Sequence, residues 1–131
     1  MGSRCPFWDL GTNNIHILYN RTYLSDGKSC TEAVETAIKA GYRLIDTACA
    51  YRNHKEVGAA IKKCIDEGIV KREEHFITSK LWCCDWKPEN AEKAILQALD
   101  DLQTSYIDLF LLHKPYFYNL SPEEEKRRQE G

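Results

Sequence analysis

The sequence predicts an α/β fold in which parallel strands alternate with crossover helices. Three short apolar segments, 42–48, 76–82 and 106–113, have the length and composition of buried strands. The segments before and between them repeat apolar residues at helical spacing. Successive strands that are joined by helices pair in parallel through right-handed crossovers. The architecture is therefore either an open doubly wound sheet or a closed barrel.

The predicted helices have recognisable ends. The first begins at Ser29 and stops at Gly41, and the second begins at Asn53 and stops at Gly68. Each start has a glutamate three residues later, which is the spacing of a capping box. The third helix carries Pro88 in its first turn. Its expected inner face consists of Ala91, Ile95, Ala98, Leu99 and Leu102.

The two ends of the chain are less regular. A strand is expected before Ser29, with 21–24 as the best candidate and 15–19 as a neighbouring hairpin segment. Residues 116–119 read as a loop, and the sequence that starts at Ser121 has the acidic-then-basic order of a capped helix start. We therefore expect one domain over residues 1–131, with a divergent start (1–20) and a final segment (116–131) that holds a loop and the beginning of the next helix.

Composition excludes several classes of protein. Of the 131 residues 43% are hydrophobic and 29% charged, which is ordinary for a globular domain. The net charge is −2, and acidic and basic residues are mixed along the chain, so the sequence has no basic patch that would indicate binding to nucleic acid or to a membrane surface. The chain has no apolar run of membrane-spanning length and no secretory signal, so we expect a cytosolic protein. Its six cysteines lack zinc-site spacing and are expected to be thiols, with no metal bound.

Polar residues at the strand ends favour the barrel. The three strands end near Asp46, Lys80 and His113, which are 34 and 33 residues apart. A (β/α)₈ barrel has roughly 30 residues per unit and places its active site at the carboxyl ends of its strands. A dinucleotide-binding sheet would instead carry G-x-G-x-x-G after its first strand, and none is present. The alternative is that these residues merely terminate strands. We expect a partial (β/α)₈ TIM barrel of about four βα units.

The same residues suggest carbonyl reduction. Hydride chemistry exceeds what side chains can do, so it implies a nicotinamide cofactor. Tyr51, five residues beyond Asp46 on the following loop, is a candidate proton donor, although it could also be an ordinary surface aromatic. An ammonium such as that of Lys80 favours a nearby phenolate, and Asp46 would hold that ammonium in place. A neutral His113 could hydrogen-bond the carbonyl oxygen.

Three sequence blocks resemble the aldo-keto reductase family. They are G-Y-R-L-I-D-T-A with the following Y-R-N and E-V-G (41–58), F-I-T-S-K-L-W (76–82), and D-L-Q with Y-I-D-L and His113 (101–113). The resemblance runs from about residue 22 to residue 115 and covers the N-terminal half of the family's barrel.

The resemblance implies specific roles for the site residues. Tyr51 would donate the proton, Lys80 would make the phenol more acidic, Asp46 would pair with Lys80 near the nicotinamide ribose, and His113 would orient the carbonyl. Trp82 would line the substrate pocket, although a plain core aromatic is the alternative. Thr22 and Tyr23 would approach the nicotinamide. The implied cofactor is NADPH, with NADH as the alternative.

The sequence also departs from the family. Arg21 stands where the family generally has glycine, and Lys114 stands where it usually has an aromatic residue. A full barrel needs about 250 residues. Two functions therefore compete: an NADPH-dependent reductase of small aldehydes or ketones, and a truncated, non-catalytic half-barrel that acts by pairing with another protein. Exposed strand edges in a half-barrel would also favour self-association.

Overall fold

The computed structural model describes residues 17–18, 27–121, 123–124 and 126–127. These residues form a four-stranded sheet in the order β1-β2-β3-β4, in which every pair is parallel. The strands are β1 (Ile17–Leu18), β2 (Leu44–Asp46), β3 (Phe76–Leu81) and β4 (Leu109–Leu112). Spatial order follows chain order with no reversal within the described sheet, as in a barrel wall and unlike a doubly wound sheet. The predicted partial-barrel fold is confirmed.

Three helices connect these strands. They are α1 (Gly27–Lys39), α2 (His54–Asp66) and α3 (Pro88–Asp101). Gly41 and Gly68 adopt left-handed backbone with φ of 97° and 70°, which confirms both as the stops of α1 and α2. Two 3₁₀ turns, Cys49–Tyr51 and Arg72–Glu74, complete the described elements.

The predicted helix starts are only partly correct. α1 begins at Gly27, so Ser29 lies inside its first turn and the predicted capping position is wrong. Thr31 Oγ1, one turn after Gly27, donates to the Gly27 carbonyl and to the Glu56 carbonyl of α2, at 3.3 Å each, so α1 packs against α2 at this end and is helical before the local capping signal. Asn53 is the N-cap of α2 as predicted, but its side chain makes no capping bond.

The N-terminal strand differs from the expectation. β1 lies inside the segment that was expected to form a hairpin, and it pairs in parallel with β2 in the register Ile17 with Leu44. This pairing makes Ile17–Leu18 the neighbour of β2 in the sheet, while the expected hairpin stays a prediction because its other strand lies outside the described residues. The predicted strand at 21–24 lies outside the described residues.

The core lies between the sheet and the helices. One face of β2 and β3 presents Ile45 and Ile77 to α1 and α2. The buried cluster consists of Cys30, Val34, Ile38, Ile45, Val57, Ala60, Ile61, Cys64, Val70, Ile77 and Leu102. Since side chains alternate along a strand, the opposite face of the same strands carries Asp46 and Lys80. The helices thus fix the strands from behind while the polar residues face the other way.

β4 contradicts the expectation of burial on both faces. Leu109 and Leu111 are each 41% exposed and Leu112 is 60% exposed. β4 forms the edge of the described sheet, so β3 is its one strand neighbour among the described residues. Ile95, expected on the inner face of α3, is also partly exposed, whereas Ala98 and Leu102 are buried as predicted.

The segment after β4 ends in a helix start, as predicted. The Ser121 backbone N–H donates to Glu124 Oε2 at 2.8 Å, and the Glu124 N–H donates to Ser121 Oγ at 3.3 Å. This reciprocal pair is a capping box. The cysteines within the described ranges form no disulfide; they are Cys30, Cys49, Cys64, Cys83 and Cys84. None of the described helices is long and apolar enough to span a bilayer.

Candidate active site

Five of the predicted site residues meet at the carboxyl end of the sheet. Asp46 is the last residue of β2, Lys80 is the penultimate residue of β3, and His113 directly follows β4. Tyr51 ends the 3₁₀ turn after β2, and Trp82 directly follows β3. Parallel strands bring their carboxyl ends to one edge, so residues far apart in sequence become neighbours there.

Lys80 and Asp46 form the ionic centre of this cluster. Lys80 Nζ donates to both carboxylate oxygens of Asp46 at 2.7 Å and to the Thr47 carbonyl at 2.9 Å. Both side chains are mostly buried, at 16% and 18% exposed. Partial burial strengthens the attraction relative to bulk water, and the three hydrogen bonds fix the ammonium in one place.

Tyr51 lies over this ion pair on a short, hydrogen-bonded turn. The Tyr51 N–H donates to the Ala48 carbonyl at 3.0 Å, and the next N–H, of Arg52, donates to the Cys49 carbonyl at 3.3 Å. Arg52 then adopts left-handed backbone with φ of 54°. Lys80 Nζ lies 5.5 Å from the centre of the Tyr51 ring. The phenol and the ammonium are therefore close neighbours on the same side of the sheet.

His113 packs edge-on against two aromatic rings. Its ring centre is 5.7 Å from that of Tyr51 and 5.1 Å from that of Trp82, both in T-shaped geometry. The His113 N–H extends the β3–β4 ladder by donating to the Leu81 carbonyl at 3.0 Å. The buried Nδ1 atom has no hydrogen-bond partner among the described residues.

Electrostatics keep the His113 imidazole neutral. Burial lowers the pKa of His113, and the ammonium groups of Lys80 and Lys114 lower it further, whereas the Asp46 carboxylate raises it. A neutral imidazole has one donor nitrogen and one acceptor nitrogen, so it can hydrogen-bond a carbonyl oxygen. Lys114, a departure from the family pattern, thus acts on the histidine beside it.

Of the remaining predicted site residues, the structure describes Trp82 but not the two expected to contact the nicotinamide. Thr22 and Tyr23, predicted to approach a nicotinamide, lie outside the described residues, as does Arg21. Trp82 is half-buried and contacts His113, so it lies at the cluster rather than in the core behind the sheet.

Sequence reasoning missed the residues that hold the Tyr51 turn. Thr47 Oγ donates to Asn53 Oδ1 at 3.4 Å and closes the loop between β2 and α2. His54 Nε2 and Ser79 Oγ are 3.1 Å apart, and both residues are buried. One signal was available: His54 precedes Val57 by three residues and therefore lies on the buried face of α2. Nothing in the sequence identifies Ser79 as its partner.

Chemically, the cluster combines a phenol, a fixed ammonium, a carboxylate and a neutral imidazole. The phenol can donate a proton, and the ammonium can stabilise negative charge that develops on the phenol oxygen. The imidazole can orient a polar substrate atom. No side chain in this set can supply a hydride, so a reductive reaction here needs an organic cofactor.

The chain matches a known family over most of its length. The sequence profile of the aldo/keto reductase family matches residues 10–125. The NAD(P)H-dependent D-xylose reductase of Scheffersomyces stipitis is 54% identical over 101 residues, which are 77% of this chain and 32% of that protein. The NAD(P)H-dependent D-xylose reductase of Candida tenuis is 55% identical over 95 residues, which are 72% of this chain and 30% of that protein.

A solved structure shows the same fold. The Bombyx mori aldo-keto reductase in complex with NADP aligns with a TM-score of 0.69 and 37% identity, over 79% of this chain and 34% of that chain. The chain thus spans about a third of the length of each of these proteins.

Proposed function

Because the chain belongs to the aldo/keto reductase family, we propose that it reduces small aldehydes or ketones to alcohols with NADPH, with NADH as the alternative donor, and with Tyr51 as proton donor. The main support for this proposal is that Tyr51, Lys80 and His113 lie together at one end of the sheet. The sugar reductases named above and the NADP complex of the similar structure support this reaction class.

The proposed reaction balances with the residues at the site. The nicotinamide, when bound, would supply the hydride for the carbonyl carbon, and its own two-electron oxidation would balance the reduction. As the carbonyl π bond breaks, the oxygen takes its proton from the Tyr51 hydroxyl. The Lys80 ammonium, held by Asp46, stabilises the phenolate that remains. His113 donates a hydrogen bond to the carbonyl oxygen and fixes its angle toward Tyr51.

The residues at the site fit the reactive end of such a cofactor. Asp46 uses both carboxylate oxygens on Lys80, and each oxygen has a further lone pair that could accept a bond from a ribose hydroxyl. His113 presents a buried nitrogen without a described partner. Thr22 and Tyr23 are the further proposed contacts to the nicotinamide.

The decisive test removes a single hydroxyl. Tyr51→Phe should lower the rate of NADPH oxidation by about 100-fold or more, because the general acid is lost. NADPH affinity, followed by nucleotide fluorescence, should stay within about twofold, since the ring remains in place. Tyr42→Phe, before the opposite end of β2, is the matched control and should keep full turnover. Unchanged turnover in Tyr51→Phe would refute the assigned role.

A non-catalytic role that depends on protein pairing is the second candidate. It is favoured by the exposed leucines of β4, because an open apolar strand edge is a template for another chain. A well-folded protein that neither binds NADPH nor reduces carbonyls, and that self-associates in sedimentation experiments, would support this candidate over the first. We also propose a cytosolic location, because none of the cysteines in the described part of the chain forms a disulfide.

A further inference from the structure

We propose that His54 and Ser79 form a positioning pair that sets the place of Tyr51 relative to Lys80. The inference rests on the proposed role of Tyr51 in carbonyl reduction. Neither residue touches the reacting atoms, and both act from behind the sheet. The pair makes the loop between β2 and α2 part of the rigid scaffold rather than a free connection.

The geometry of the pair links the two halves of the site. His54 is the first residue of α2 and follows Tyr51 by three positions, while Ser79 directly precedes Lys80 on β3. His54 Nε2 lies 3.1 Å from Ser79 Oγ, and both side chains are buried, at 6% and 0% exposed. Because side chains alternate along a strand, Ser79 points to the helix side and Lys80 to the opposite side. β3 therefore binds the loop between β2 and α2, which carries Tyr51, through Ser79 and also carries the ammonium of Lys80.

The other end of the loop is attached to the same strand. The Thr47 N–H donates to the Thr78 carbonyl of β3 at 2.9 Å. Thr47 Oγ also donates to Asn53 Oδ1 at 3.4 Å and so closes the loop across its base. Tyr51 thus lies between two anchors on adjacent residues of β3. Losing the second anchor, at His54, would weaken the attachment of the end of the loop that carries Tyr51 to β3.

The ring of His54 is suited to a fixed hydrogen bond. Burial lowers the pKa of His54, although the Asp101 carboxylate opposes this shift, so the imidazole is neutral. A neutral ring and a serine hydroxyl can each donate or accept, and either arrangement gives a satisfied buried pair. A buried polar group that loses its partner is left without a hydrogen bond, which is costly, so the loop is biased toward this single arrangement.

The kinetic test breaks the pair from either side. Ser79→Ala and His54→Leu should each lower kcat by about tenfold or more, because small misplacements of a catalytic group are costly. The KM for NADPH should stay within about twofold, since the proposed cofactor contacts lie elsewhere. His54→Gln keeps an amide that can bond Ser79 and should recover most of kcat. In a double-mutant cycle, the losses in Ser79→Ala and His54→Leu should not add.

A matched control removes a hydrogen bond of similar length at the other end of the sheet. Thr104→Ala deletes the 2.9 Å bond from Arg72 Nε to Thr104 Oγ1. We expect it to lower the free energy of unfolding while leaving kcat unchanged. A positioning role and a purely structural role then differ, because only the former changes kcat in a folded enzyme.

A second readout does not depend on turnover. The Tyr51 ring packs edge-on to the His113 ring, so a displaced Tyr51 changes the ring-current shift of the His113 protons. Their NMR resonances should move in Ser79→Ala and in Tyr51→Leu, and should stay in place in Thr104→Ala. If the wild-type protein shows no turnover, the proposed function is refuted. The His113 resonances can still test whether His54 and Ser79 position Tyr51, because they do not depend on turnover. A Ser79→Ala protein with unchanged His113 resonances, whatever its stability, would overturn the proposal.

Discussion

β3 and β4 are neighbouring parallel strands, yet β3, which is half polar, is the buried strand, and β4, which is entirely apolar, is the exposed one. On β3, Ile77 is fully buried, and Ser79 and Leu81 are also buried. On β4, Leu109, Leu111 and Leu112 are all exposed. The hydrogen-bonded register between the strands is regular from Thr78–Leu109 to Leu81–Leu112. The difference therefore comes from what covers each strand and not from the pairing itself.

The comparison shows that the site joins a buried half to a more exposed half. Lys80 lies on β3, and the loop that carries Tyr51 leads into α2, one of the helices that cover the sheet. His113 follows the exposed strand β4 and is held by its backbone bond to Leu81 and by the ring of Trp82. Mutations should therefore have large effects where helices cover the sheet and small effects at the open edge.

The largest effect is expected where α2 meets the end of α3. A Cβ at Gly58 would lie 2.4 Å from the Asp101 carbonyl oxygen and 2.7 Å from Leu102 backbone atoms, so the two helices would have to separate. Gly58→Ala should lower the free energy of unfolding by about 4 kcal/mol in urea denaturation. The neighbouring Ala59 is exposed, and Ala59→Ser should cost no more than about 0.5 kcal/mol. Equal effects of the two changes would contradict the close packing of α2 on α3.

The strand comparison can be tested with one truncation on each strand. Ile77→Ala should cost about 3 kcal/mol, because it leaves a cavity in the covered core. Leu111→Ala should cost less than about 1 kcal/mol, since the side chain already contacts solvent. Both values are measurable by denaturant unfolding. A large loss in Leu111→Ala would mean that β4 is covered in solution, by another copy or another chain.

A smaller effect is expected at the amino end of the same two strands, where Arg72 connects them. Its guanidinium donates to the carbonyls of His75 and Tyr106, at 2.9 and 2.8 Å, and to Asp108 Oδ2 at 2.9 Å, and it stacks 3.8 Å from the Tyr106 ring. Arg72→Met should cost about 2 kcal/mol.

Two further variants test the geometry of this contact. Arg72→Lys should recover only part of the loss, because an ammonium cannot reach several acceptors in a planar fork. Lys62→Met, which removes an exposed pair with Asp66 within α2, should change stability by less than about 0.5 kcal/mol. Full recovery in Arg72→Lys would show that charge alone matters at this position.

The smallest effect concerns the charge beside His113. Removing the ammonium in Lys114→Met should raise the pKa of His113, and burial and Lys80 should still keep it below the ordinary histidine value of about 6.5. Because folding depresses this pKa, protonation opposes folding, and stability is lost as the pH falls below that value. The loss should be less steep in Lys114→Met.

Proton NMR titration of the His113 ring measures this change directly. Lys87→Met is the control, because the exposed Lys87 is not among the charges that act on His113, and its titration should match that of the wild-type protein. A His113 pKa that stays unchanged in Lys114→Met would show that the ammonium lies too far from the imidazole to act on it.

Much of the fold followed from local patterns. The glycines at 41 and 68 predicted helix ends because a left-handed residue is needed there, and both have positive φ. Apolar runs predicted β2, β3 and β4, and the spacing of Asp46, Lys80 and His113 predicted that they meet at one end of a parallel sheet. Lys80 hydrogen-bonds Asp46 across the two strands, as this spacing predicts. The roles of these residues in reduction stay predictions.

Other features had no local signature. The segment 15–19 could be recognised as apolar, but the parallel pairing of Ile17–Leu18 with β2 could not be predicted from it. The exposure of β4 could not be derived from its leucines either. The same sequence supports burial or exposure, depending on which element lies against it. The pairing of His54 with Ser79 joins residues 25 positions apart.

The sequence by itself therefore determined the order of strands and helices. It also determined the spacing of polar residues at the strand ends, which brings the carboxylate of Asp46, the ammonium of Lys80 and the phenol of Tyr51 together. Periodicity and turn chemistry depend on neighbouring residues, so they can be read directly from the chain. Only the tertiary structure decided which strand faces are covered and which buried polar groups meet, because packing depends on residues that are distant in the chain and close in space.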